Sequence, residues 1–250
     1  NNVTGTNNTS VGYNAMKGAS GQSHSYNTAV GTNALKAITT GGQNSVLGQN
    51  AGDALLTGQL NCIIGQSACS VSTDVDKAVI IGVDAGNGAL DSDADGTIAI
   101  GYRAGAALSS SIRTVAIGYE ALDTATTGAD DCIAIGYQAL SGSWTTSVNS
   151  KNVAIGSYSM NAAMVTAIRN VGVGYATLNT LTEGDNNVAV GSDALSAMTT
   201  GSNNIGIGYA AGGGINSGSS NVVIGSLAGD AMTDNDGNVV IGKSAFGTAN

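Results

Sequence analysis

One short unit, Asn152-Val153-Ala154-Ile155-Gly156, recurs through the whole chain. Anchored on its glycine there are fourteen copies, at Gly12, Gly31, Gly48, Gly65, Gly82, Gly101, Gly118, Gly136, Gly156, Gly174, Gly191, Gly208, Gly225 and Gly242. Eight of the thirteen intervals are 17 residues and the others are 18 to 20, so the period is constant and the longer intervals read as loop insertions. A period this short means that each unit buries its apolar face on its neighbours. The expected architecture is a solenoid.

The columns of the repeat specify its local structure. The residue before the glycine is Val or Ile except at Leu47. Two positions before it, the column begins Thr9, Thr28, Ser45, Cys62 and is Val or Ile from Val79 onward. That period of two predicts a short strand whose β-branched residues face the core of the coil. The residue between them is Ser10, Ala29, Val46, Ile63 or Ile80 early on, then mostly Ala, Gly or Val. No charge stands there. A strand with two apolar faces is covered on both sides, so the middle column is expected to meet other chains.

Ala stands three residues after the glycine in twelve copies, as a small residue inside a narrow coil would. Asn stands four residues before it in ten copies, suiting a stacked hydrogen-bonded corner. A second glycine at Gly41, Gly58, Gly128, Gly184, Gly201 and Gly218 predicts the corner that closes the coil. A strand-plus-helix repeat is the competing arrangement. About twelve residues are barely enough for a helical crossover, and these are rich in Gly, Thr, Ser and Asn, which are poor helix formers. The expected fold is therefore all-β, a parallel β-solenoid (β-roll or β-helix) of about fourteen coils of about 17 residues, running as one repetitive segment over 1–250 with inserted middle coils at 83–173. The chain opens and ends inside a repeat and is expected to be part of a longer fibre.

Composition narrows the function. Only eight of the 250 residues are Lys or Arg, they are scattered, and the net charge is −9, so no basic stripe is present to track a phosphate backbone. No run of eighteen apolar residues is present for a membrane-spanning helix. The single His24 lies in no nucleophile or metal motif, and catalysis is not expected. Cys62, Cys69 and Cys132 have no metal spacing and read as buried free thiols. Asp91, Asp93, Asp95 and Gly96 read D-x-D-x-D-G, the opening of a calcium loop whose distal Glu is replaced by Tyr102. These three aspartates are the candidate calcium ligands, with a weaker echo at Asp234 and Asp236. Six of the eight tyrosines directly follow the anchoring glycine, among them Tyr102, Tyr119 and Tyr137, and they are candidates for stacking on a glycan or for packing between coils. Trp144, in the loop at 141–151, either covers the coil or contacts a ligand.

The Asn-Val-Ala-Ile-Gly-x-x-Ala units resemble the haemagglutinin-type head repeats of trimeric autotransporter adhesins, and similar repeats in fibre proteins of bacteriophages and large algal viruses. The resemblance spans Asn8 to Phe246. It implies a parallel β-roll in which three chains pack by a short inner strand, with Ala99, Ala116, Ala134, Ala154 and Ala189 facing the trimer. The period here is longer than that of the adhesin repeat. The expectation is a homotrimeric structural fibre or adhesin segment, on a virion or cell surface, that spaces or presents a part binding a host glycan or receptor. A glycan- or calcium-binding solenoid module is the alternative.

Overall fold

The computed structural model describes residues 5–18, 21–126, 128–144 and 149–247. Thr127, of the Thr126-Thr127 pair, and residues 145–148 of the loop at 141–151 lie outside the described residues. The fold is an all-β parallel solenoid. Two compact units make up the chain, Asn1–Thr127 and Gly128–Asn250.

The first unit holds seven strands of three residues each: β1 (Thr9–Val11), β2 (Thr28–Val30), β3 (Ser45–Leu47), β4 (Cys62–Ile64), β5 (Val79–Ile81), β6 (Ile98–Ile100) and β7 (Val115–Ile117). The second holds β8 (Ile133–Ile135), β9 (Val153–Ile155), β10 (Val171–Val173), β11 (Val188–Val190), β12 (Ile205–Ile207), β13 (Val222–Ile224) and β14 (Val239–Ile241). Within each unit the strands pair in chain order, all parallel, and equivalent repeat positions are partners. The only helical element among the described residues is one 3₁₀ turn, Ser92–Ala94. The columns of the sequence are therefore columns in space, and the helical alternative is excluded.

Glycine anchors the repeat because the backbone demands it. All fourteen anchoring glycines have φ between 121° and 147°, a region closed to L side chains. A Cβ at Gly12 or Gly191 would lie 2.5 Å from the carbonyl oxygen of the equivalent glycine in the next coil, Gly31 or Gly208. The chain passes too close to its neighbour to carry a side chain there.

Asparagine closes most of the coils. The N–H and the side-chain Nδ2 of Asn204 both donate to Oδ1 of Asn187, at 2.9 and 3.1 Å, and the same Nδ2 also donates to the carbonyl of Gly218 at 2.8 Å. One side chain thus links its coil to the preceding one and to its own second corner. The pattern repeats along Asn27, Asn44 and Asn61 and along Asn170, Asn187, Asn204 and Asn221, all nearly or wholly buried. Every polar atom of the amide has a partner, which is what makes a buried column of asparagines tolerable.

The strand faces are reversed from the sequence expectation. The middle residue of β2 through β14 is buried, and Ala99, Ala116, Ala134, Ala154 and Ala189 have no exposed surface in the isolated chain. They point into their own coil, so they are not the positions offered to another chain. The flanking β-branched columns, expected inside, are half-buried or exposed instead. Val11, Leu47, Ile64, Ile155, Val190, Ile207 and Ile241 are 37–65% exposed.

The physical reason lies in how the coil is filled. The middle residue shares its interior space with the residue four after the glycine, and their sizes compensate. Ala29 goes with Leu35, Ala116 with Leu122, Ala134 with Leu140, Ala154 with Met160 and Ala189 with Leu195; conversely Val46 goes with Gly52, Ile80 with Gly86 and Val223 with Gly229. A Cβ at Gly86 would meet the Ile80 side chain at 3.0 Å, and one at Gly229 would meet Val223 at 3.0 Å. Where both are small, as at Ala99 and Gly105, Leu108 takes the space. The alanines are small because a large partner lies opposite.

This pairing has a measurable consequence. Val223→Ala is expected to destabilise by about 2 kcal/mol through a cavity, and Gly229→Leu by about 1–3 kcal/mol through overpacking. The double variant reproduces the native Ala–Leu combination and should recover about 1–2 kcal/mol relative to the sum. Urea unfolding that finds the two effects additive would refute the shared volume.

Candidate ligand-binding surface

Solvent-facing chemistry is concentrated at the corner that follows each strand. The first two residues after the glycine carry their side chains outward, and the second adopts left-handed backbone at Asn14, Asn33, Asn50, Ser67, Asp84, Arg103 and Glu120 in the first unit. Its N–H is held by the coil before: Arg103 donates to the Val83 carbonyl at 3.0 Å and Glu120 to that of Tyr102 at 2.9 Å. Backbone hydrogen bonds fix the conformation, so the side chain is left to vary.

Within each unit tyrosines of neighbouring coils meet ring to ring. Tyr102 stacks on Tyr119 with ring centroids 5.0 Å apart and planes 26° from parallel, a spacing close to that between adjacent strands. Tyr137 meets Tyr158 edge-on at 5.2 Å, and Tyr158 meets Tyr175 at 5.9 Å. Tyr102, Tyr119 and Tyr137 are each 41–46% exposed. Trp144 is not part of this surface. Only 8% of it is exposed, as for a residue that covers the coil.

At Tyr102 the aromatic run stops, since the preceding coil carries Val83 in the same column. A recess of about 280 Å³ opens there, lined by Asp84, Asn87, Tyr102, Arg103 and Ala106. Asp84 and Arg103 occupy the same column of successive coils. The guanidinium of Arg103 also lies 3.8 Å from the carboxylate of Asp123. Burial raises the Asp123 carboxyl above the ordinary range, with Glu120 adding to the rise and Arg103 opposing it. Asn87 accepts a hydrogen bond at Oδ1 from the Ser70 hydroxyl. Sequence reasoning picked out Tyr102 but not Asp84, Asn87 or Arg103. The available signal was an opposite-charge pair one repeat apart, directly beside the last tyrosine.

The aspartates of the D-x-D-x-D-G stretch are brought to different places. Asp91 caps the 3₁₀ turn, its Oδ1 accepting from the Asp93 N–H at 3.0 Å. Asp95 accepts from the Asp76 N–H of the preceding coil at 2.8 Å, while Asp93 is exposed. Among the described residues no group of three or more acidic, His or Cys side chains is placed to hold a metal ion. The Asp95 bond belongs to a second ladder six residues before the glycine. There the side-chain oxygens of Asp76, Asp185, Ser202, Ser219 and Asp236 accept N–H groups from the coil before. The glycine after Asp95 or Asp236 then turns the corner with positive φ, 79° at Gly96 and 69° at Gly237. The calcium-like spelling is accounted for by a turn cap, a ladder residue and a corner.

Cys69 and Cys132 are fully buried, and burial pushes their thiols up to about 11 and about 12, whereas Cys62 is partly exposed. No family model matches the chain, and no curated protein or solved structure matches it either.

Asp95→Ala is expected to destabilise by about 1–2 kcal/mol, since it strands the Asp76 N–H. Asp93→Ala should stay within about 0.5 kcal/mol. Equal unfolding midpoints for the two variants in the presence of a chelator would contradict the ladder role. A thiol reagent at neutral pH should modify Cys62 alone in the native protein and all three cysteines in denaturant. Rapid native labelling of Cys69 or Cys132 would contradict the packing.

Proposed function

We propose that this chain is a structural segment of a fibre or adhesin displayed on a virion or cell surface, in which three copies pack side by side and present host-contacting parts. The observation that carries this reading is the pair of β-branched columns facing out of each unit. In the first unit they are exemplified by Leu47 and Ile64, in the second by Ile155, Val190, Ile205 and Ile207, each at least 36% exposed. Aliphatic residues stand at both ends of every strand from β5 onward, and at the end before the glycine in β1 to β4, so they make an apolar face along each unit. Faces of that kind are rare on monomers and mark interfaces. A second copy of the same face is its natural cover, and a closed symmetric assembly leaves none of it exposed.

Three copies, in preference to two, follows the resemblance to the adhesin heads, now with Val and Ile at the interface and the alanines inside each coil. The rest of the surface suits a passive element. It is acidic overall, offers no basic track, and gains rigidity from side-chain ladders that run from coil to coil. No chemistry in the recess at Asp84 and Arg103 calls for turnover, so the role proposed is recognition and spacing, with no catalytic activity.

Light scattering should find a particle of about three times the 24.4 kDa chain mass. Replacing both Ile64 and Ile155 with Glu should dissociate it into folded chains, because the carboxylates become solvated once the copies separate. Ala116→Glu should instead unfold the coil, because it buries a charge in the interior whatever the assembly. A stable, folded monomer for the unmodified chain would overturn the reading.

A further inference from the structure

We propose that the recess formed by Asp84, Asn87, Tyr102 and Arg103 binds one neutral pyranose ring of a glycan. The inference rests on the chain being an outward-facing, host-contacting segment, but not on three copies assembling, since every residue of the recess belongs to adjacent coils of one chain.

The argument starts from the aromatic step. Tyr119 occupies one face of Tyr102 at 5.0 Å, and the rings stack along the direction in which the coils repeat. The other face of Tyr102 therefore looks toward the preceding coil. There Val83 stands in the tyrosine column, as shown by the Arg103 N–H bound to its carbonyl. Tyr102 lines the recess together with Asp84, Asn87, Arg103 and Ala106. An aromatic face held flat by a second ring, with its other side open, is a platform for the C–H face of a sugar.

Polar groups stand around this platform in the combination a polyol needs. Asp84 supplies acceptors only, Arg103 donors only, and Asn87 a donor pair at Nδ2, since its Oδ1 already accepts from Ser70. Vicinal hydroxyls both donate and accept, so a planar carboxylate and a planar guanidinium one repeat apart fit two neighbouring hydroxyls. The ion pair to Asp123 restrains Arg103, and the Ser70 bond restrains Asn87, so less ordering is required on binding.

Size and charge exclude the nearest alternatives. A volume of about 280 Å³ is at the bottom of the range of about 300–1,000 Å³ for ligand pockets, enough for one ring. Phosphate and acidic sugars meet Asp84, Glu120 and Asp123 against the single Arg103, within a chain of net charge −9. A wholly apolar ligand would cover the Asp84 carboxylate without offering it a donor. The neutral sugar ring is what satisfies both the ring face and the charged rim.

Saturation-transfer NMR with the methyl pyranosides of glucose, galactose, mannose, fucose, N-acetylglucosamine and N-acetylgalactosamine tests this directly. At least one of them should receive saturation, strongest at the ring C–H protons of a single face. Tyr102→Ala and Asp84→Asn should each weaken that binding at least tenfold, Tyr102→Phe should hold it within about threefold, and Tyr209→Ala, a tyrosine of the same column in the second unit, should leave it unchanged. No saturation transfer to any of the six would overturn the proposal, as would binding that survives Tyr102→Ala or is lost equally in Tyr209→Ala. Light scattering on the same samples separates this result from the assembly. A trimer that binds no sugar removes only the present inference, whereas a monomer that binds one removes only the trimeric fibre.

Discussion

Everything in this structure depends on the distance at which one coil lies on the next. Parallel strands pair about 4.8 Å apart, and the corner after each strand keeps that spacing with no side chain between the backbones. The anchoring glycine follows from this constraint, and so does the left-handed backbone around it. Among the described residues, 35 non-glycine positions have positive φ. At roughly 1 kcal/mol each, the strain would exceed the 5–15 kcal/mol by which domains are normally stable. It is offset because these N–H groups donate to the adjacent coil, as Leu35 does to Ala51 and Asn50 to Thr32. The corner conformation exists only in the stack.

A coil held this tightly has a narrow interior and two kinds of filling. Polar closure comes from asparagine, whose amide supplies two donors and a doubly accepting oxygen at one buried point. Where the column changes identity, the closure changes with it. Ala78 still donates its N–H to Asn61, and Thr97 turns its hydroxyl to the Ala94 carbonyl at 2.7 Å. Apolar closure comes from the pair formed by the middle strand residue and the residue after the conserved alanine. Only their combined volume is constrained.

That combined volume explains what was legible in the sequence and what was not. Period, strand position, parallel register and the glycine corners could all be read from the repeat, because each is enforced in every coil. The face of the strand could not be read from alternation alone. Alternation says that Val153 and Ile155 differ in direction from Ala154, but does not say which direction is inward, and hydrophobicity favoured the wrong answer. The deciding signal was the compensation between Ala154 and Met160, or Val223 and Gly229, which only makes sense for residues sharing one cavity. The placement of the aspartates was hidden for a related reason. Asp91, Asp93 and Asp95 lie close in sequence, but the ladder that uses Asp95 runs from coil to coil, so its true neighbours are Asp76 and the backbone one repeat away. In a solenoid, chemistry is organised at the period of the repeat.

The same principle locates the places where such a chain can acquire specificity. Interior columns are bound by volume, the asparagine column by its amide partners, and the glycines by the backbone. The β-branched columns face outward but must stay apolar if they meet another copy. What remains is the pair of positions after the glycine, where backbone bonds alone secure the fold. There the first unit carries Asn14, Asn33 and Asn50 in one stretch, joined through their side chains, and Asp84, Arg103 and Glu120 in another. Beside them the first unit carries Tyr13, Thr32, Gln49, Gln66, Val83, Tyr102 and Tyr119, at no evident cost to the coil. A change in that column, such as the step from Val83 to Tyr102, leaves the stack intact, and a recess lies beside it on the surface. Binding chemistry in this architecture arises most readily where an outer column loses its regularity, because every inner column must keep its own.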